Sequence, residues 1–188
     1  MRIIMALACL LGLMGALPAH AAESKDVFGR TVPVGQGRPA VVLYANPDTR
    51  EVLRTHAFQF AYQLRREYPI MVVHVDLRDV PSFFRGAARR ELRKSHRESI
   101  AAIQKLFRDQ GQQPPDNLES SLYLVADSTG APHHALGLEK GFLQVLAQAV
   151  SPSGLELARG RFPESAPSIG QAIQSSLAPS FVSKASSH

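Results

Sequence analysis

Cysteine is almost missing from this chain, whose 188 residues contain one, Cys9. That residue sits in an apolar stretch, residues 3–17, preceded by Arg2 and followed by Ala19-His20-Ala21. A positive start, an apolar middle and an A-x-A end mark a secretory signal peptide, so residues 1–21 are expected to be cleaved on export. The only thiol leaves with them. What remains can exchange no disulfide, reduce no peroxide through a cysteine and form no thioester. An exported domain without disulfides must rest on its apolar core, for which residues 22–178 are long enough.

A membrane-spanning run is also lacking. A bilayer span takes about 20 apolar residues, which the leader does not reach. No internal repeat is visible. Acidic residues are in short supply, 16 against 21 Lys and Arg, for a formal net charge of +5. The surplus is concentrated: Arg85, Arg89, Arg90, Arg93, Lys94, Arg97, Lys105 and Arg108 are opposed only by Glu91, Glu98 and Asp109. Such a stripe suits an anionic partner, whether acidic protein, lipid headgroup or nucleic acid. Export argues against nucleic acid and leaves room for peripheral membrane contact; a solvated helix face is the plainer alternative.

The rest of the chain is organised around residues 40–50, Ala-Val-Val-Leu-Tyr-Ala-Asn-Pro-Asp-Thr-Arg. An apolar run stops at Asn46-Pro47 and a helical pattern begins at once, capped by Asp48 or Thr49 and running to about residue 67. A buried strand feeding a helix N-terminus is where α/β folds place their chemistry. Residues 26–34 read as a short strand or edge hairpin. Gly35 and Gly37 imitate a dinucleotide fingerprint, but they precede a strand and Pro39 blocks the helix that motif needs.

Residues 70–76 form a second continuous apolar strand, which makes a right-handed parallel βαβ unit. A long helix is expected over 87–110, with Leu92, Ile100, Ile103 and Phe107 inward, ended by Gly111. Residues 121–126 give a third strand and Asp127-Ser128-Thr129-Gly130 its turn. Residues 142–150 and 155–161 form a hairpin around Ser151-Pro152-Ser153-Gly154. A helix over 168–177 closes the domain, and the small polar tail, 179–188, is expected to be disordered.

This order, with Phe28-Gly29-Arg30, Val41-Val42-Leu43-Tyr44-Ala45, residues 124–130 and residues 153–160, resembles the thioredoxin-like superfamily. Within it the chain is similar to the redoxin branch that includes alkyl hydroperoxide reductase and thiol-specific antioxidant proteins. The resemblance implies an α/β three-layer sandwich, a central mixed sheet flanked by helices. It also lays Asn46-Pro47-Asp48-Thr49-Arg50-Glu51 on the family's Cys-x-x-Cys-Arg-Glu, with Asn46 and Thr49 where thiols would stand. The family's buried acid is replaced by apolar Ala40, Val41 or Val42. Its cis-proline, facing the dithiol, is expected near Glu119-Ser120, where there is none.

Other chemistry finds little support. His56 and His96 lie on apolar helical stripes, as core-edge histidines do, and the adjacent His133 and His134 alone are too few for a metal site. Neither metal nor cofactor is expected. The spacing in Asp127-Ser128-Thr129-Gly130 is that of a turn, one residue longer than the aspartic-protease motif. The sequence therefore reads as an exported, periplasmic or secreted, redox-inactive binding or assembly module. Its candidate contact residues are Asn46, Pro47, Asp48, Thr49 and Arg50, and Arg89, Arg93 and Arg97 on the basic helix. The alternative is an enzyme of non-thiol chemistry using Asp48, Thr49, Arg50 and His133 in one cleft.

Overall fold

The computed structural model describes residues 24–178. The expected signal peptide, residues 1–21, and the expected disordered tail, 179–188, lie outside them.

Five strands form one mixed sheet in the order β3-β2-β1-β4-β5. β1 (Ala40–Ala45) is buried along its whole length, as a strand covered on both faces must be. Asn46-Pro47 stops it, a 3-10 turn (Pro47–Thr49) follows, and α1 (Arg50–Gln63) begins. α1 ends earlier than its periodicity suggests. Pro69 disfavours helical backbone at Tyr68, which instead takes a positive φ of 51°. β2 (Ile70–Asp76) then runs parallel to β1, with Tyr44 beside His74.

A second 3-10 turn (Ser82–Phe84) leads into α2 (Arg85–Asp109), which Gly111 ends at φ 67°. β3 (Leu122–Asp127) pairs parallel with β2 on the far edge. A short α3 (Ala131–His134), unforeseen in the sequence, follows Gly130. β4 (Val145–Val150) returns antiparallel to β1, β5 (Glu156–Phe162) forms the hairpin with it, and α4 (Ala166–Leu177) closes the chain.

The outer layers are unequal. Both βαβ crossovers step in the same direction across the sheet, so right-handedness puts α1 and α2 on the same face. α4 joins them there: Phe60 and Leu64, Leu92 and Ile100, and Ile169 and Ile173 meet Val41, Leu43, Met71 and Leu124 in one core. The opposite face carries Val42, Tyr44, Val72 and Val125, covered by α3, by Leu136 and Leu138 after it, and by Val32 and Val34.

Residues 26–34 do not form the expected strand or hairpin. They make one isolated bridge, Lys25 to Thr31, because Asp26 folds the chain locally, its Oδ1 accepting the backbone N–H of Phe28 at 2.9 Å and of Arg30 at 2.8 Å. This segment lies along the outer edge of β3, where the Val27 N–H donates to the Leu124 carbonyl at 2.8 Å. Arg30 fastens it, donating to the Leu122 and Glu119 carbonyls at 2.9 and 3.0 Å.

Candidate functional site

The turn after β1 is held by Asn46 and Thr49 acting on each other. Asn46 Oδ1 accepts the Thr49 N–H at 3.0 Å, and the Asn46 N–H donates to Thr49 Oγ1 at 3.0 Å. This reciprocal capping satisfies donors that a helix N-terminus otherwise leaves open. Thr49 Oγ1 also donates back to the Asn46 carbonyl at 3.0 Å, and Asn46 Nδ2 donates to the Phe142 carbonyl at 2.5 Å. Both side chains are buried, whereas Pro47, Asp48 and Arg50 between and beside them are exposed. Of the candidate contact residues on this turn, two are thus committed inward and three face out.

The hydrogen bond to Phe142 corrects one expectation. The segment facing the turn is the one entering β4, because β4 is the antiparallel neighbour of β1. Glu119-Ser120 precedes β3, two strands away at the sheet's edge, and cannot face Asn46. Phe142-Leu143-Gln144 contains no proline either.

On the helical face, Asn46, Pro47 and Arg50 stand at one end of a cleft of about 430 Å³ between α1 and α2. Its walls are mainly aliphatic, and Arg50 reaches Glu91 of α2 across it at 3.5 Å. His133 is elsewhere. Adjacent strand residues point to opposite faces, and His133 packs edge-on against Tyr44 at 5.6 Å, whereas the cleft is lined by Leu43. It is fully buried under Phe142. The structure therefore does not bring Asp48, Thr49, Arg50 and His133 into one cleft.

Beneath the thin layer lies a polar cluster that sequence reading missed. His133 Nδ1 meets Asp127 Oδ2 at 2.8 Å. The other oxygen of Asp127 accepts the Thr129 N–H and hydroxyl, each at 2.9 Å, and the Gly130 N–H at 2.8 Å. Burial works to raise the Asp127 pKa, but the hydrogen bonds from His133, Gly130 and Thr129 outweigh it and hold the carboxyl well below its ordinary range. Beside it, Arg78 forks onto Asp76, with Nη2 to Oδ2 at 2.7 Å. Burial opposes ionisation of Asp76 too, and Arg78 again brings its pKa below the usual value.

Gly130 is required here. Its φ is 77° and a Cβ would lie 2.2 Å from Arg78 Cδ. Tyr44 stacks on His74 at 5.3 Å and donates to Gln148 Oε1 at 3.3 Å. Burial drives the Tyr44 pKa upward. These groups tie α3 and the segment after it to the sheet, leaving His133 Nε2 buried without a hydrogen-bond partner among the described residues.

Among the remaining histidines, His96 is buried and meets the Leu122 carbonyl through Nε2 at 3.1 Å. His56, expected at the core edge, is exposed and only turns an edge toward Phe162. Among the described residues no group of three or more His, Cys, Asp or Glu is placed to hold a metal ion. No helix among them is long and apolar enough to cross a membrane. On α2, Arg89 and Arg97 are exposed, whereas Arg93 is partly buried and donates to the Val27 carbonyl at 3.2 Å.

Comparison with solved structures places this architecture. BsSco, a member of the Sco family of cytochrome c oxidase assembly proteins, matches with a TM-score of 0.51 over 81% of this chain and 89% of its own, at 12% identity. The fold is thioredoxin-like. A DsbE from Chlorobium tepidum (TM-score 0.49, 13% identity, 81% of this chain and 90% of its own) is similar at a lower level. So is the bacterioferritin comigratory protein of Xanthomonas campestris (TM-score 0.49, 15% identity, 81% and 89%). No family model matches the sequence, and no curated protein matches it. The similarity is one of fold. In this chain the turn that leaves β1 carries Asn46 and Thr49, and the described residues contain no cysteine.

Proposed function

We propose that this protein is an exported, redox-inactive thioredoxin-like module that binds or assembles with an anionic partner. One observation carries the reading. The two positions that the resemblance assigns to thiols hold Asn46 and Thr49, both buried and spent on bonding each other. In a turn so closed the Asn46 and Thr49 side chains are spent on structure, and Pro47, Asp48 and Arg50 are displayed at its surface. Rigid display of exposed residues is what recognition requires.

Nearby, Phe83 is 77% exposed and Leu143 85% exposed, an unusual degree for large apolar side chains. Both stand in segments at the end of the sheet where the turn lies, after β2 and before β4. Arg89 and Arg97 continue along α2 and give the surface its positive sign. The partner reading thus rests on Pro47, Asp48 and Arg50 with Arg89 and Arg97. Asn46 and Thr49 shape the turn, and Arg93 anchors the N-terminal segment.

A photo-crosslinking side chain placed at Asp48, with the chain expressed in its native exported fraction, tests the reading. A discrete adduct that disappears when Arg89 and Arg97 are both changed to Glu is expected. Failure to crosslink, or insulin-reducing activity in the purified protein, would overturn it. Export itself is checked by sequencing the N-terminus of secreted material, expected at Ala22.

A further inference from the structure

The cleft between α1 and α2 is a site in its own right. Its volume of about 430 Å³ falls in the range of small-molecule pockets, about 300–1,000 Å³. Small side chains on both helices create it: Ala57 and Ala61 on α1 oppose Ser99 and Ala102 on α2. Met71, Val73, Val75 and Leu77 line its floor in succession. At roughly 3.3 Å per residue that floor is about 20 Å long. The shape is long, narrow and aliphatic. Water finds few hydrogen-bond partners on such walls, and apolar cavities of this kind take up hydrocarbon in preference to water.

The rim supplies a sign. Two carboxylates stand on it, and both have cations: Glu91 pairs with Arg50 at 3.5 Å and Glu98 with Lys94 at 3.8 Å. Arg54 on α1 has no carboxylate partner among the described residues, whereas Arg65 is spent on Tyr62, donating to its carbonyl at 3.2 Å and lying over its ring at 4.5 Å. The unmatched charge at the mouth is therefore positive, and Arg54 is exposed to whatever enters.

We infer that this cleft binds a single-chain anionic amphiphile, a long-chain carboxylate whose hydrocarbon lies over β2 and whose head group meets Arg54. The cleft touches the proposed partner surface only at Pro47 and Arg50 and includes none of Asp48, Arg89 and Arg97, and binding there needs no protein partner.

Calorimetric titration of the purified protein, expressed from the full chain, with octanoate, decanoate and dodecanoate provides the test. Saturable one-to-one binding is expected, tightening about fourfold for each added methylene. Arg54→Glu should weaken dodecanoate about threefold to tenfold and leave dodecanol unaffected. Ala102→Phe, which fills the cleft, should abolish binding of both. Should that variant fold poorly, amide NMR shifts on the unaltered protein replace it, and dodecanoate should move signals of α1, α2 and β2 and leave those of α3 in place.

Absence of saturable binding below the micelle concentration would overturn the inference. So would dodecyltrimethylammonium binding as tightly as dodecanoate, or shifts centred outside the cleft. Since the titration contains no partner, its failure leaves the crosslinking result untouched.

Discussion

Asp76 and Asp127 stand side by side at the ends of β2 and β3, each engaged by its own partner: Arg78 forks onto the first and His133 meets the second. Like charges directly opposite in a sheet are destabilising, and here each carboxylate is bound tightly enough to stay ionised. Both pKa values are held down. A carboxyl with a lower pKa in the folded state adds stability that is complete above the unfolded value of about 3.9 and is lost as pH falls through the folded value. Asp127→Ala should cost about 3–5 kcal/mol at neutral pH. In urea titrations across pH 2–7, its stability should fall less on the acid side than that of the parent protein. An acid limb of unchanged slope would show that Asp127 is not the group being protonated.

The turn of Asn46 and Thr49 predicts a different response to two kinds of change. Asn46→Ala removes a capping acceptor and the bond to Phe142, and should cost about 1–3 kcal/mol in chemical denaturation. Asn46→Cys with Thr49→Cys should close a disulfide under mild oxidant, since the pair occupies the capping geometry of one turn. The Cα separation required is within about 7 Å. The first cysteine, at a helix N-terminus, should titrate below about 8.5. A double variant that folds yet stays reduced would separate these positions from the thiol positions of thioredoxin-like proteins.

For the basic face of α2, contact with an anionic partner implies salt sensitivity. Exposed charges more than about 10 Å apart are largely screened at 0.1 M salt. Retention on an anionic resin or on phosphatidylglycerol vesicles should fall steeply between 50 mM and about 300 mM salt. Arg89→Glu with Arg97→Glu should abolish it without altering the circular dichroism spectrum. Equal retention of the variant would return α2 to the role of a solvated helix.

The parts legible in the sequence were those governed by local patterns. Continuous apolar runs gave β1, β2 and β3, and helical spacing gave α1, α2 and α4, because burial on two faces or one stripe leaves that signature. The Asp127 turn was also legible, since its carboxylate serves backbone N–H groups two and three residues on. The pairing of Arg78 with Asp76, and of Tyr44 with His74 and His133, was not. These contacts depend on strand register and on which face each side chain takes, and no window of sequence contains them. The position facing Asn46 was misjudged for the same reason: β3 and β4 read alike, and only the sheet order tells which one is next to β1.

Arg30 carries a consequence for handling the protein. The segment it fastens lies along the outer side of β3, where a bare strand offers its backbone groups to any extended chain. Arg30→Ala should loosen that cover, and size-exclusion chromatography with light scattering should show concentration-dependent self-association. Residues 26–30 thus cover the outer side of β3, held by Arg30, Arg93 and the Val27 backbone bond, and trimming the chain beyond Lys25 should unseal the sheet.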